Sequence, residues 1–129
     1  MTVTLGYATA SGTDQDLDEQ LAELASAGVE RRRIFTDRTS GSADKLRAGL
    51  LALLSYARSG DVVTVVALER LGRSATEVTQ TVADLTTRGI TLRCLQNGLD
   101  TATASGRVVA RVLADLAAFD ASRHTGTAR

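Results

Sequence analysis

The chain holds no proline, one cysteine, one histidine and a single lysine among its 129 residues, and its net charge is zero. Each scarcity removes something. Without proline, the turns must rest on glycine and short polar residues. One cysteine, Cys94, allows no internal disulfide and makes a metal cluster implausible, a usage that fits a reducing cytosol. It lies in the apolar run 90–95 and reads as a small buried hydrophobe. The one histidine, His124, sits in a polar C-terminal stretch and cannot anchor a catalytic triad. Carboxylates are scattered without metal-ligand spacing, and there is no GxxxxGK[ST] phosphate loop. No run is long and apolar enough to span a membrane, and the N-terminus lacks the basic start and apolar stretch of a signal peptide. The expectation is a cytoplasmic protein, not in a membrane, with no metal and no cofactor.

A balanced charge argues against tight binding of a polyanion by this chain alone. Its positive charge is almost entirely arginine, Lys45 being the exception. Arginine is the better fork for phosphate, although genome base composition gives the same bias.

What is present is a foldable α/β pattern. Apolar residues make up 43% of the chain, enough for one core. Val3 to Ala8 reads as a first strand. Asp14 to Ala27 carries Leu17, Leu21 and Leu24 at helical spacing and closes at Gly28. A short strand at 33–36 precedes a Ser/Gly-rich loop at 39–44, and 46–58 shows Leu50, Leu53 and Leu54 on one helical face. Residues 62–68 form an almost unbroken apolar run, as expected of a central strand covered on both faces. Ser74 and Glu77 fit a capping box for a helix to Arg88, followed by a strand at 90–95 and a short edge strand at 99–101. The last helix spans 103 to about 122. Alternation of this kind predicts a three-layer α/β/α domain with a mainly parallel sheet. Residues 1–122 are expected to form the domain, and 123–129 a polar C-terminal tail. The last helix is apolar on more than one stripe, through Val108, Val109, Val112, Leu113, Leu116, Ala117 and Phe119. A surface helix needs only one apolar face, so this one is read either as packed deep in the fold or as meeting a partner chain.

Chemistry gathers at three places. Ser11 follows the first strand, Arg47 follows the Ser40-Gly41-Ser42 loop, and Arg70 and Arg73 lie in Leu68-Glu69-Arg70-Leu71-Gly72-Arg73 after the central run. A serine hydroxyl is a weak nucleophile that needs help. Guanidinium groups provide it in phosphoryl transfer by holding two phosphate oxygens and balancing the developing charge. A nucleotide-binding reading would need a glycine-rich loop after the first strand, and Ala10-Ser11-Gly12 is too sparse.

The ordered blocks resemble the catalytic domain of the serine recombinases, the resolvase/invertase family. Tyr7-Ala8-Thr9-Ala10-Ser11 is similar to the family's Tyr-Ala-Arg-Val-Ser, and Leu68 to Arg73 to its Leu-Asp-Arg-Leu-Gly-Arg. Arg47 with Gly49-Leu50, and Asp100-Thr101 with Gly106, extend the resemblance over nearly the whole chain. It implies a five-stranded sheet of order 2-1-3-4-5, with the last strand antiparallel. It implies that Ser11 attacks a DNA phosphodiester to give a 5′-phosphoserine link. Arg47, Arg70 and Arg73 would hold the phosphate, and Gln15 and Glu69 would position the reacting groups. It implies a homodimer that pairs into a tetramer on DNA. The departures are Thr9 for the family arginine, Leu46 for the aspartate before the loop arginine, and Glu69 for an aspartate. They leave a second reading, a catalytically impaired dimerisation or regulatory module that pairs with a full-length recombinase.

Overall fold

The computed structural model describes residues 2–10, 14–38 and 48–126. Strand β1 (Thr4–Ala10) leads to helix α1 (Asp14–Ser26), a 3-10 turn (Arg31–Arg33) and β2 (Ile34–Arg38). Helix α2 (Ala48–Tyr56), β3 (Val62–Val65) and a second 3-10 turn (Leu68–Leu71) follow. The chain ends with α3 (Ala75–Thr87), β4 (Thr91–Cys94), β5 (Leu99–Asp100) and α4 (Ala104–Gly126). The sheet has the order β2-β1-β3-β4-β5, parallel from β2 to β4 and antiparallel at β5. The three-layer α/β architecture and strand order expected from the sequence are therefore those found.

Side chains alternate across β1. Ala8 and Ala10 face Leu17, Leu24 and Val29, so α1 covers one side of the sheet. Leu5 and Tyr7 face the other side, where Leu50 and Leu53 of α2 and Val82 and Leu85 of α3 join Val63, Val65, Leu92 and Cys94. Cys94 is buried and unpaired by any disulfide, as its setting suggested. Helix α4 packs on α3, and its buried residues are Gly106, Ala110 and Ala117 among those described. Its opposite side leaves Val108, Val109, Val112 and Leu116 between 42% and 62% exposed. Of the two readings of this helix, deep packing is thus excluded for that stripe.

Most element boundaries shift by a residue or two from expectation, and two shift by three residues or more. The central strand stops at Val65 rather than continuing to Leu68. Past Val66 no β-branched residue follows until the next helix, and the Arg70 amide donates to the Ala67 carbonyl at 3.1 Å, winding 68–71 into a 3-10 turn. Leu71 drops into the core from this turn. Helix α4 runs through the expected polar tail as far as Gly126, beyond the boundary set at residue 122. The capping box is present, with the Glu77 amide donating to Ser74 Oγ at 3.2 Å. Gly89 closes α3 with φ of 76°, a conformation that suits glycine.

Gly49 has a different reason to be glycine. The first turn of α2 lies so close on β2 that a Cβ there would meet the Thr36 carbonyl carbon at 2.8 Å and Asp37 Oδ1 at 3.0 Å. Gly49→Ala must push the helix off the strand, and a loss of about 1–3 kcal/mol is expected, as for overpacked cores. Urea unfolding followed by circular dichroism measures it.

Candidate active site at the strand ends

In an open parallel sheet, ligands bind outside the carboxyl ends of the strands, where the chain leaves to opposite faces. Here that point is the C-terminal end of β1, between β2 and β3, with α1 on one face and α2 on the other. Ser11 comes directly after β1 in sequence, and Arg47 directly before α2. Both residues lie outside the described residues, so the site is built from what surrounds them.

The end of β1 is held by α1. Gln20 is only 3% exposed, and its amide spans the backbone of Thr9. Gln20 Oε1 accepts from the Thr9 amide at 3.2 Å, and Nε2 donates to the Thr9 carbonyl at 2.7 Å. Arg70 reaches the same carbonyl from the 3-10 turn, Nη1 donating at 3.3 Å. The guanidinium also lies 3.6 Å from Asp16 Oδ2. Asp16 in turn accepts from Gln20 Nε2 at 3.3 Å. Gln20 and Arg70 thus converge on one carbonyl, two residues before Ser11, and Asp16 lies against both of them.

The start of α2 is held by β2. Asp37 Oδ1 accepts from the Gly49 amide at 2.7 Å, and Oδ2 accepts from the Leu50 amide at 3.0 Å and from the buried Tyr7 hydroxyl at 2.6 Å. A carboxylate at a helix N-terminus satisfies amides that have no partner within the helix and complements its dipole. Asp37 therefore fixes the helix that Arg47 precedes, and ties it to β1 through Tyr7.

The other expected site residues are placed differently. Arg73 follows Gly72, after the 3-10 turn, and sits 42% exposed with Nη2 3.5 Å from Glu77 Oε2. Its amide donates to Glu77 Oε1 at 2.8 Å. Gln15 is exposed on α1 and leans along the helix to Glu19 at 3.5 Å. Glu69 is exposed and makes no hydrogen bond or ion pair among the described residues. Of the expected set, the structure brings Arg70 to the end of β1, while Arg73 is turned to α3. Thr9, which stands where the family has an arginine, is 5% exposed, and its Oγ1 has no hydrogen-bond partner among the described residues. Reading the sequence missed Asp16, Gln20 and Asp37 as members of the site. Gln20 carried a signal: it falls in phase with Leu17 and Leu24 on the apolar stripe of α1, where a polar side chain needs a buried partner. Among the described residues no group of three or more His, Cys, Asp or Glu side chains is placed to hold a metal ion.

A mainly parallel sheet of this order thus carries an arginine-bearing turn against the end of β1. The chain belongs to the resolvase/invertase family of serine recombinases: the family described as "Resolvase, N terminal domain" matches residues 4–127. The transposon Tn3 resolvase of Escherichia coli is 36% identical over 118 residues, which cover 92% of this chain and 63% of the relative. The DNA-invertase Hin of Salmonella typhimurium is 38% identical over 117 residues, covering 91% of this chain and 60% of the relative. This chain accordingly spans less than two thirds of the length of these curated relatives. In three dimensions it resembles the N-terminal catalytic domain of TP901-1 integrase, with a TM-score of 0.70 and 24% identity, covering 95% of this chain and 98% of that one. At that identity the likeness is one of fold.

Asp37→Ala would remove the α2 cap and a partner of the buried Tyr7 hydroxyl together. A loss of about 2–4 kcal/mol is expected, a cap being worth roughly 1 kcal/mol and a disturbed buried polar group about 1–3. Asp37→Asn, which keeps one acceptor oxygen, should lose less. Urea midpoints for the two variants check the order.

Proposed function

We propose that this chain is a catalytic domain for site-specific DNA recombination, with Ser11 as the nucleophile. The observation that carries the reading is Arg70, held against the Thr9 carbonyl two residues before Ser11. In the proposed step the Ser11 oxygen bonds to the phosphorus of a DNA phosphodiester and loses its proton. The P–O3′ bond breaks, and the departing 3′-oxygen takes up a proton. The strand is left attached to the serine through its 5′-phosphate, and attack by another 3′-hydroxyl reverses the step to rejoin exchanged ends. Arg47, Arg70 and Arg73 balance charge on the phosphate oxygens, where preorganised donors act most strongly. Gln15 and Glu69 act as substrate-positioning residues. No cofactor is assigned. Among the described residues no helix is long and apolar enough to cross a membrane.

The second reading, a pairing or regulatory module with impaired chemistry, also has an observation in its favour. Thr9 brings no charge to the site, and both described arginines of the expected set face carboxylates of the chain itself. The apolar stripe of α4 suits either reading, because a second copy of the chain would cover it. We assign a homodimer through α4, two dimers meeting when two DNA sites are joined.

The full chain incubated with a nicked duplex that traps covalent intermediates is expected to form an adduct stable to denaturant. Ser11→Ala should form none, and a chelator should leave the wild-type adduct unchanged. Absence of any wild-type adduct from a protein that still self-associates would favour the pairing module.

Val112→Lys places a charge in the middle of the exposed stripe. It should shift sedimentation from dimer to monomer without loss of helical signal. A wild-type chain that stays monomeric at high concentration would remove the dimer from the proposal.

A further inference from the structure

The carboxylate of Asp16 stands where an anion would approach Arg70. Its Oδ2 is 3.6 Å from Arg70 Nη1, in a half-buried setting where the two side chains are 39% and 26% exposed. It is not a chance surface pair. Gln20 Nε2, itself fixed on the Thr9 carbonyl, donates to the same Oδ2 at 3.3 Å and aims it. The neutral Thr9 carbonyl and the anionic Asp16 carboxylate thus both lie near Arg70 Nη1. A backbone phosphate offers this nitrogen the same charge and a similar oxygen. It must either displace the carboxylate or bind next to a like charge, and either course weakens its binding.

We infer that Asp16 is a built-in competitor for phosphate at Arg70, setting how tightly this chain takes the DNA backbone. The inference rests on the proposed role of Arg70 in phosphate binding, not on turnover. Asp16 has a helical duty too, since it lies in the first turn of α1, where a negative charge favours the helix dipole. That duty needs a charge near the helix start, which Asp14 and Asp18 also supply. It does not need an oxygen against Arg70. Asp16 acts through Arg70 and is a positioning residue.

The test uses the full chain and a short fluorescein-labelled DNA duplex, with affinity read by anisotropy over a range of salt. Asp16→Asn keeps the shape and removes the charge. It should bind roughly twofold to fivefold more tightly, the scale expected for releasing one partly exposed ion pair. Its log–log salt dependence should steepen by about one, because one more phosphate contact is neutralised by the protein. Asp18→Asn removes the same charge from an exposed position on the same helix, and should change affinity less than about twofold. In the Arg70→Gln background the gain from Asp16→Asn should vanish. Equal gains from the Asp16 and Asp18 variants, a gain that survives Arg70→Gln, or no binding by Asp16→Asn at low salt would each overturn the inference. Circular dichroism confirms folding, and Asp16→Ser serves as a second variant without charge. If no Ser11 adduct forms but the Arg70-dependent gain appears, the catalytic reading fails and this one stands. If the adduct forms and the gain is absent, the reverse holds.

Discussion

Strand β3 stops short of the end of β1, its pairing ending at Tyr7 with Val65. A residue in a strand turns its N–H and C=O to the same side. Thr9, two residues further on, thus presents both groups to a side where the ladder has run out. Buried backbone groups need partners, and the Gln20 amide supplies an acceptor and a donor in the arrangement a third strand would have offered. The rest of the site is built on this substitution. It docks the first turns of α1 onto β1, brings Asp16 beside the guanidinium, and leaves the Thr9 carbonyl to be shared with Arg70. A short β3 is what makes the space, and the 3-10 turn that replaces its end carries the arginine that fills it.

The second support comes from the opposite face. Asp37 belongs to the edge strand, yet its carboxylate reaches both the start of α2 and the central strand through Tyr7. Gly49 permits the close approach that this needs. Two carboxylates therefore flank the end of β1 with different tasks: Asp37 is consumed by backbone amides and a hydroxyl, whereas Asp16 faces a cation. Only the latter is paired with an arginine of the proposed site. The balance of charge read from the whole sequence is thus repeated locally, arginine against carboxylate, at Arg70 and again at Arg73.

Local pattern made the layers and the helix boundaries legible. Ser74 with Glu77 announced the start of α3, and the Leu17, Leu21 and Leu24 spacing announced the face of α1 that meets the sheet. The β-branched run at 62–66 announced a central strand but not its length, because nothing in Leu68 to Leu71 opposes strand as strongly as the tertiary pull of Leu71 favours a turn. That turn also separates two arginines that the sequence grouped. Arg70 sits within it, while Gly72 is extended and carries Arg73 away toward Glu77. The pairing of Arg70 with Thr9 joins residues 61 apart in sequence, which no local spacing encodes. Thr9 alternates in phase with Leu5 and Tyr7, and its burial depends on what covers that face. The family resemblance supplied the residues proposed for the chemistry; the long-range hydrogen bonds supplied those that hold the end of β1 and the start of α2.

Helix α4 is pinned at its base. Gly106 lies so near the Asp100 carbonyl that no Cβ would fit, its amide donates to Thr103 Oγ1 at 3.0 Å, and Arg107 Nη1 donates to the Ala102 carbonyl at 3.1 Å. From there the helix runs on to Gly126, a rod of about 30 Å at 1.5 Å per residue. Beyond that base α4 packs along α3, with Ala110 and Ala117 buried and Leu113 against the core. Because the rod is held along α3 as far as Ala117 as well as at its base, a load on its far end is shared between α3 and the β5 turn.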